Sequence, residues 1–243
     1  MQKRRADALA EKPFSLSLSS GFFGFFAHAG FVQALEEMQL KPEVVTGSSA
    51  GAIVSAGLGS GLSAKEIRNI CLGLKKSDFW DPGLGFGLLK GEKLEQFLGG
   101  HLLKDFSEMK LPVQISVFDI LARKTKVLTS GSVAKACRAS CAVPLLFQPV
   151  RIDGRLYWDG GVLDRPAIKG LEESPYPIVY HYLDAKGWVS NLEDRRIYKK
   201  HHEAPFFLKT LKIPAAGPNK LHVGPEVIDY AYKESLKWLS GKV

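Results

Sequence analysis

No apolar run in the 243-residue sequence approaches the ~18 residues that a membrane-spanning helix needs, so nothing in it reads as a span. Cysteine is scarce: Cys71, Cys137 and Cys141 form no C-x-x-C pair, and no histidine stands at zinc-ligand spacing from them. That excludes a disulfide framework and a zinc module, and predicts reduced, mostly buried thiols. There is no G-K-[ST] and no G-x-G-x-x-G with an acidic residue at ribose distance, which removes the common nucleotide-binding loops. No cofactor and no metal are therefore expected. The first twelve residues carry Lys3, Arg4 and Arg5 but no apolar h-region, and read as a frayed, solvated leader rather than a signal peptide. Cytoplasmic residence is the expectation.

With 45% hydrophobic and 24% charged residues, the composition is that of an ordinary globular protein, and one domain over residues 1–243 is the working expectation. A formal net charge of +8 favours anionic partners, whether nucleic acid or an anionic lipid surface, or is only a solubilising excess. Nucleic acid is not expected, because the basic residues lack the interleaved aromatics of a base-stacking platform.

The pattern along the chain is strand, glycine-rich turn, helix, repeated. Phe14 to Ser19 alternates apolar and small polar residues, Gly21 to Gly24 turns, and Ala27 to Met38 has helical spacing. Val44-Val45 feeds a second turn and a helix to Gly57, and Ser63 with Glu66 three residues on predicts a capped helix to Leu74. Trp80 to Gly87 reads as a loop, Gly91 to Leu103 as a helix, Leu111 to Ile120 as a buried strand, Ser132 to Ser140 as a helix and Phe147 to Ile152 as a strand. Asp153-Gly154-Arg155 then predicts a hairpin. Ile178 to Tyr182 fits one more strand and Gly224 to Leu239 a closing helix. Such alternation implies an α/β fold with a mainly parallel central sheet and helices on both faces. Residues 184–222, basic and irregular, are expected to form a lid or variable region.

Chemistry concentrates in three corners. Gly47-Ser48-Ser49-Ala50-Gly51 is a G-x-S-x-G between a strand and a helix, the context of a nucleophile elbow that exposes a serine Oγ; a plain structural turn also fits. Ser20-Gly21-Phe22-Phe23-Gly24 lies where backbone N–H groups and a helix N-terminus converge, an anion site or an ordinary turn. Asp159-Gly160-Gly161 offers a carboxylate at a strand end, a candidate base or again a turn. His181, His201, His202 and His222 all follow Asp159, so a Ser-Asp-His triad of the α/β-hydrolase kind is a second reading.

The order of these corners resembles the patatin-like phospholipases, as do Ala27 to Glu37, Lys90 to Leu94 and the run from Arg138-Ala139-Ser140 to Asp159-Gly160-Gly161. The likeness covers residues 14 to about 168. It implies a three-layer α/β/α fold and a Ser-Asp dyad, with Ser49 as nucleophile and Asp159 as general base. The oxyanion donors would come from Gly21, Phe22, Phe23 and Gly24. This loop departs from the G-G-G-x-R-G common in the family, having no arginine, although a G-F-L-G version occurs in its animal branch. Phe25 and Phe26 would wall an acyl pocket together with Phe22 and Phe23, unless the four rings are simply core. The implied partner is a lipid substrate at a membrane surface. A catalytically silent lipid-binding module is the non-enzymatic alternative, and nothing in the sequence fixes oligomeric state.

Overall fold

A computed structural model describes residues 3–183, 206–210 and 213–243. Its organising element is an eight-stranded sheet built from β1 (Ser15–Leu18), β2 (Val44–Ser48), β4 (Val113–Asp119), β5 (Lys124–Leu128), β7 (Val150–Ile152), β8 (Arg155–Asp159), β9 (Ile178–Leu183) and β10 (Phe207–Thr210). Strand order is β10-β9-β1-β2-β4-β8-β7, with β5 also on β4. The half from β10 to β4 is parallel, whereas β5, β8 and β7 join antiparallel. Two further short strands, β3 (Gly87–Leu89) and β6 (Leu145–Phe147), pair with each other as a separate ribbon.

The helices are α1 (Arg5–Ala10), α2 (Phe25–Glu37), α3 (Ala50–Gly59), α4 (Ala64–Gly73), α5 (Glu92–Gly99), α6 (Val133–Ser140) and α7 (Gly224–Ser240). They flank the sheet. β1 alternates serine and leucine, yet all four residues are buried. The serine face is closed by the segment after β8: Ser17 Oγ donates to the Pro166 carbonyl and Ser15 Oγ bonds Ser174 Oγ at 2.6 Å. Small hydroxyls thus satisfy a covering loop while Leu16 and Leu18 fill the core, so both faces of β1 are dry, as a central parallel strand requires.

Several elements start and stop for reasons visible in the chain. The Ser63 and Glu66 capping box forms, with the Ser63 N–H donating to Glu66 Oε2 at 2.8 Å. α5 ends at Gly99-Gly100, short of the expected Leu103, where two glycines remove helix propensity. The single strand expected over 147–152 is two, because Pro149 has no N–H to give a ladder.

One expectation is corrected. The N-terminus is not a frayed leader: α1 buries Leu9, the Arg5 N–H donates to the Gly241 carbonyl at 2.8 Å, and the Arg5 guanidinium lies 5.4 Å from the Trp238 ring centroid. One apolar residue on a short helix is enough to dock it against α7. Within the expected lid of 184–222, Phe207–Thr210 is an edge strand on β9, and Ile213, Ala216 and Leu221 pack on the core. Residues 184–205 and 211–212 of that span lie outside the described residues.

β9 and β10 are tied to α2 by a fully buried chain of rings. His28 Nε2 meets the Ser19 carbonyl at 2.8 Å, His28 Nδ1 meets His181 Nδ1 at 2.9 Å, and His181 Nε2 meets Thr210 Oγ1 at 2.8 Å. A carbonyl only accepts, so His28 carries its proton on Nε2, His181 on Nδ1, and Thr210 donates. Burial holds both imidazoles neutral, moving His28 down to about 4 and His181 well below its ordinary value. The chain ends on Ser19, which opens the Gly21–Gly24 corner.

α2 and α7 cross so closely that a Cβ on Gly30 would collide with the Ile228 carbonyl. Gly30→Ala gains up to about 1 kcal/mol of helix propensity, but overpacking against backbone costs about 1–3 kcal/mol. A net loss of stability is expected in urea unfolding; an unchanged or raised midpoint would show that the crossing can relax.

Candidate functional site

Ser49 follows β2 and precedes α3, at the carboxyl end of the parallel strands. Its backbone, φ 53° and ψ −116°, is one that side chains rarely adopt. Ser49 keeps 9% of its surface exposed on this sharp turn, while the neighbouring Ser48 has none. The turn closes only because residue 51 has no side chain: a Cβ there would strike the Leu18 carbonyl. A hydroxyl the sequence reading did not single out completes the support. Ser140, the last residue of α6, accepts the Ser49 N–H at 2.8 Å and donates to the Ser116 carbonyl at 2.7 Å.

Asp159 ends β8 and reaches the same point from the other side of β4. In register, Ser48 lies beside Ser116 and Val117 beside Asp159, so β4 spaces the two corners. Ser49 Oγ donates to Asp159 Oδ2 at 2.7 Å, and the Gly161 N–H donates to Oδ1 at 2.7 Å. Burial raises the carboxyl to about 6, against the downward pull of those two bonds. Desolvation wins because the hydroxyl and one N–H replace only part of the lost water. The loop after Asp159 is itself anchored by buried Asp164, which accepts from Ser116 Oγ at 2.6 Å and from the Ile168 N–H at 2.9 Å.

The third corner faces Ser49 across a small apolar cleft. Gly21, Phe22, Phe23 and Phe25 line it with Ser49, Ala50, Ile53, Leu74, Phe79, Leu94, Cys141, Val143 and Phe147. Its volume is about 70 Å³. Two larger hollows, of about 370 and 550 Å³, lie around α5 and contain none of the three corners. Within the corner the Ser20 N–H is bound to the Arg165 carbonyl at 2.7 Å and the Gly24 N–H to the Gly21 carbonyl at 2.8 Å. The Gly24 N–H, one of the expected anion donors, is therefore spent on the turn. No described residue accepts from the N–H groups of Gly21, Phe22 or Phe23, and Phe23 is held at φ 55°. Phe26 is also placed differently from expectation: it is buried against Gly224 rather than in the cleft, since helical geometry turns consecutive residues 100° apart. Phe22 is 57% exposed at the mouth.

No histidine of the described residues bonds Ser49 or Asp159. His181 is fully buried and bonded to His28 and Thr210, which removes it from the triad reading. His222 is exposed in a short 3₁₀ turn, and His201 and His202 lie outside the described residues. Among the described residues no cluster of three His, Cys, Asp or Glu side chains is placed to hold a metal. No helix among them is long and apolar enough to cross a membrane. Cys141 lines the cleft beside Ser49, its thiol raised well above the ordinary value by burial and then by the Asp159 charge, which makes it a weak nucleophile.

A hydroxyl bonded to a desolvated carboxylate, with open N–H groups and a helix N-terminus around an apolar cleft, is equipped for acyl transfer. A profile of the patatin-like phospholipase family matches residues 16–171. An uncharacterized NTE family protein of Mycobacterium bovis is 31% identical over 158 residues, covering 62% of this chain and 43% of its own. The uncharacterized protein YqhO of Bacillus subtilis is 28% identical over 180 residues, covering 60% and 62%. The matched region thus spans less than half of the mycobacterial relative. Among solved structures, VipD from Legionella pneumophila superposes with a TM-score of 0.65 at 16% identity, covering 94% of this chain and 67% of that one. ExoU, in its complex with SpcU from the type III secretion system of Pseudomonas aeruginosa, gives 0.55 at 16% identity, covering 93% and 51%. Those two likenesses concern the fold, a central sheet flanked by helices. On the match over residues 16–171, the chain belongs to the patatin-like phospholipase family.

Proposed function

We propose that this chain is a lipid acyl hydrolase of the phospholipase A or lysophospholipase type, in which Ser49 and Asp159 act as a dyad. The observation that carries the reading is the 2.7 Å bond from Ser49 Oγ to Asp159 Oδ2 at the edge of an apolar cleft. Ser49 Oγ attacks the ester carbonyl as its proton passes to Asp159, the alcohol leaves with that proton, and water, deprotonated by Asp159, releases the acyl group. An aspartate of ordinary acidity is a poor match for a hydroxyl; burial narrows the gap by raising it to about 6. The remaining barrier falls to groups that meet the oxyanion: the open N–H groups of Gly21, Phe22 and Phe23 and the first turn of α3. Removing one such donor typically costs about 3 kcal/mol of transition-state stabilisation. The apolar lining suits an acyl chain, and the substrate is met at a membrane surface. Three cysteines free of disulfides fit a reducing, cytoplasmic setting for a single catalytic domain.

Against a panel of phospholipids and short-chain esters, Ser49→Ala is expected to lose turnover by roughly 10⁴-fold or more, and Asp159→Asn by about 10²–10⁴-fold. A folded Ser49→Ala protein that still turned over ester would sink the dyad, as would silence of the wild type towards every ester offered.

The pH dependence has a definite sign. Asp159 must be ionised to act, so kcat/KM should rise with pH through about 6 and level off above it; an inflection near 3.8 would mean the carboxyl is solvated during catalysis. In stability the same carboxyl works the other way. Its folded value lies above its unfolded one, so the folded state binds the extra proton at low pH and the benefit is lost as pH rises through 6. At pH 7.5 the buried charge, with its two bonds already counted, costs on the order of 3 kcal/mol. Asp159→Asn is therefore expected to be at least as resistant to urea as the wild type at that pH.

Ser140→Ala leaves the Ser49 N–H and the Ser116 carbonyl unpaired in a buried place, costing about 1–3 kcal/mol of stability. Because it loosens the turn that aims Ser49, kcat should fall while KM for a soluble ester stays near its original value. Loss of stability with unaltered kcat would reduce Ser140 to a packing residue.

A further inference from the structure

The cleft at Ser49 is too small for the molecule it is proposed to cleave. About 70 Å³ holds only the first carbons of an acyl chain, whereas pockets that enclose a drug-sized ligand run to roughly 300–1,000 Å³. Whatever lies beyond those carbons must stay outside the cleft, and the surface around its mouth is unusually apolar. Leu84 is fully exposed, and Phe86, Leu88 and Leu145 are each more than two-thirds exposed. Phe22 and Trp80 continue the patch towards the cleft, through the contact of Phe22 with Phe23 at 4.8 Å and of Phe23 with Phe79 at 5.6 Å.

The side chains on this patch are held out by a braced ribbon. Gly83 N–H donates to the Leu88 carbonyl at 3.2 Å and Lys90 N–H to the Asp81 carbonyl at 2.9 Å, which folds residues 81–90 back on themselves. β3 then pairs with β6, setting Gly87 beside Leu145 and Leu89 beside Phe147, and Phe147 is a wall of the cleft. The Gln148 amide donates to the Gly83 and Leu84 carbonyls at 3.2 and 3.0 Å, pinning the tip. Asp81 accepts the N–H groups of Gly91 and Lys93 at 2.9 and 3.0 Å, anchoring the base of the ribbon to α5. A monomer gains nothing from bracing a tip in order to expose Leu84, Phe86 and Leu88.

The charges beside the patch indicate its partner. Lys75, Lys76 and Lys90 are exposed at its rim. Lys76 Nζ lies 4.6 Å from the Trp80 ring centroid and bonds Asn219 Oδ1 at 2.9 Å, so its position is fixed. Of the nearby acids, Asp78 and Asp81 direct their carboxylates to backbone N–H groups of the chain itself. An apolar tip with ammonium groups around it complements a bilayer, acyl layer below and anionic headgroups above.

We propose that residues 80–90 and β6 form the docking face for an anionic lipid bilayer. Leu84, Phe86 and Leu88 enter the acyl layer, Lys75, Lys76 and Lys90 meet headgroup phosphates, and the lipid reaches Ser49 without leaving an apolar surface. This rests on the lipid-hydrolase reading for its purpose, but not for its test.

The test uses the full chain with Ser49→Ala, so that vesicles are not consumed. It is sedimented with vesicles of phosphatidylcholine containing roughly one quarter phosphatidylglycerol. The triple variant Leu84→Ser, Phe86→Ser, Leu88→Ser on the same background should partition at least about tenfold more weakly, with an unchanged melting temperature because all three side chains are exposed. Lys75→Glu with Lys90→Glu should weaken binding to these vesicles several-fold and have little effect on pure phosphatidylcholine. With Ser49 restored, the triple variant should hydrolyse p-nitrophenyl butyrate as the wild type does and lose activity on vesicles. Undiminished vesicle binding by the triple variant overturns the proposal, as does a parent protein that ignores vesicles. So does light scattering that shows a dimer which the triple variant dissolves, since the patch would then serve a second copy. If vesicle binding depends on the tip yet no ester is ever cleaved, docking stands and the hydrolase reading fails.

Discussion

The hydrogen bond between Ser49 and Asp159 joins positions 110 residues apart, and most of the local architecture exists to keep its two ends in place. One end sits on a strained turn that closes because Gly51 leaves room for the Leu18 carbonyl and because Ser140 captures the Ser49 N–H. The other sits at the end of β8, where Gly161 holds the outer carboxylate oxygen and Asp164 anchors the following loop. β4 runs between them and fixes the separation, since adjacent strands are about 4.8 Å apart. Strain, desolvation and close backbone approach are all costs to stability, and they gather at one point of the sheet.

Among the described residues Asp159 bonds a hydroxyl and a backbone N–H and no imidazole. Burial makes Asp159 more basic, but the same burial forbids any second charge nearby that lacks a partner. The described histidines obey this. His28 and His181 are kept neutral and spent on a structural chain from Thr210 to Ser19, which steadies the corner that lines the cleft with Gly21, Phe22 and Phe23. The imidazoles thus support the site from behind. On the proposed dyad reading, electrostatic help at the reacting carbonyl would be left to backbone dipoles, which are fixed in place and cost no reorganisation.

The cleft and the ribbon share walls. Phe147 lines the cleft and belongs to β6, whose partner strand carries Leu88. An apolar path therefore runs from Ser49 through Phe79 and Phe147 to the exposed tip. The N-terminus contributes elsewhere, closing the fold against α7 far from this path.

How much of this was legible in the chain depends on the range of the interaction concerned. Local patterns carried the three corners, the Ser63 capping box and the α/β alternation, because turns, caps and helical periods are decided by residues a few positions apart. The β5 strand, Lys124–Leu128, escaped because two lysines and an exposed flank hide its alternation, and β10 because four residues on an edge leave almost no pattern. Ser140 stands in the sequence only as part of a longer run; that its hydroxyl meets the Ser49 N–H depends on how α6 packs against β4 and α3, which no local rule contains. Phe26 was misassigned to the cleft for the same reason, its neighbour on α7 being nearly two hundred residues away in sequence. The sequence by itself determined which side chains have the chemistry and which backbone can bend around them. The tertiary structure alone decided which N–H groups remain open, how far Asp159 is stripped of water and which apolar residues stay outside, because each depends on contacts between segments that only the folded sheet brings together.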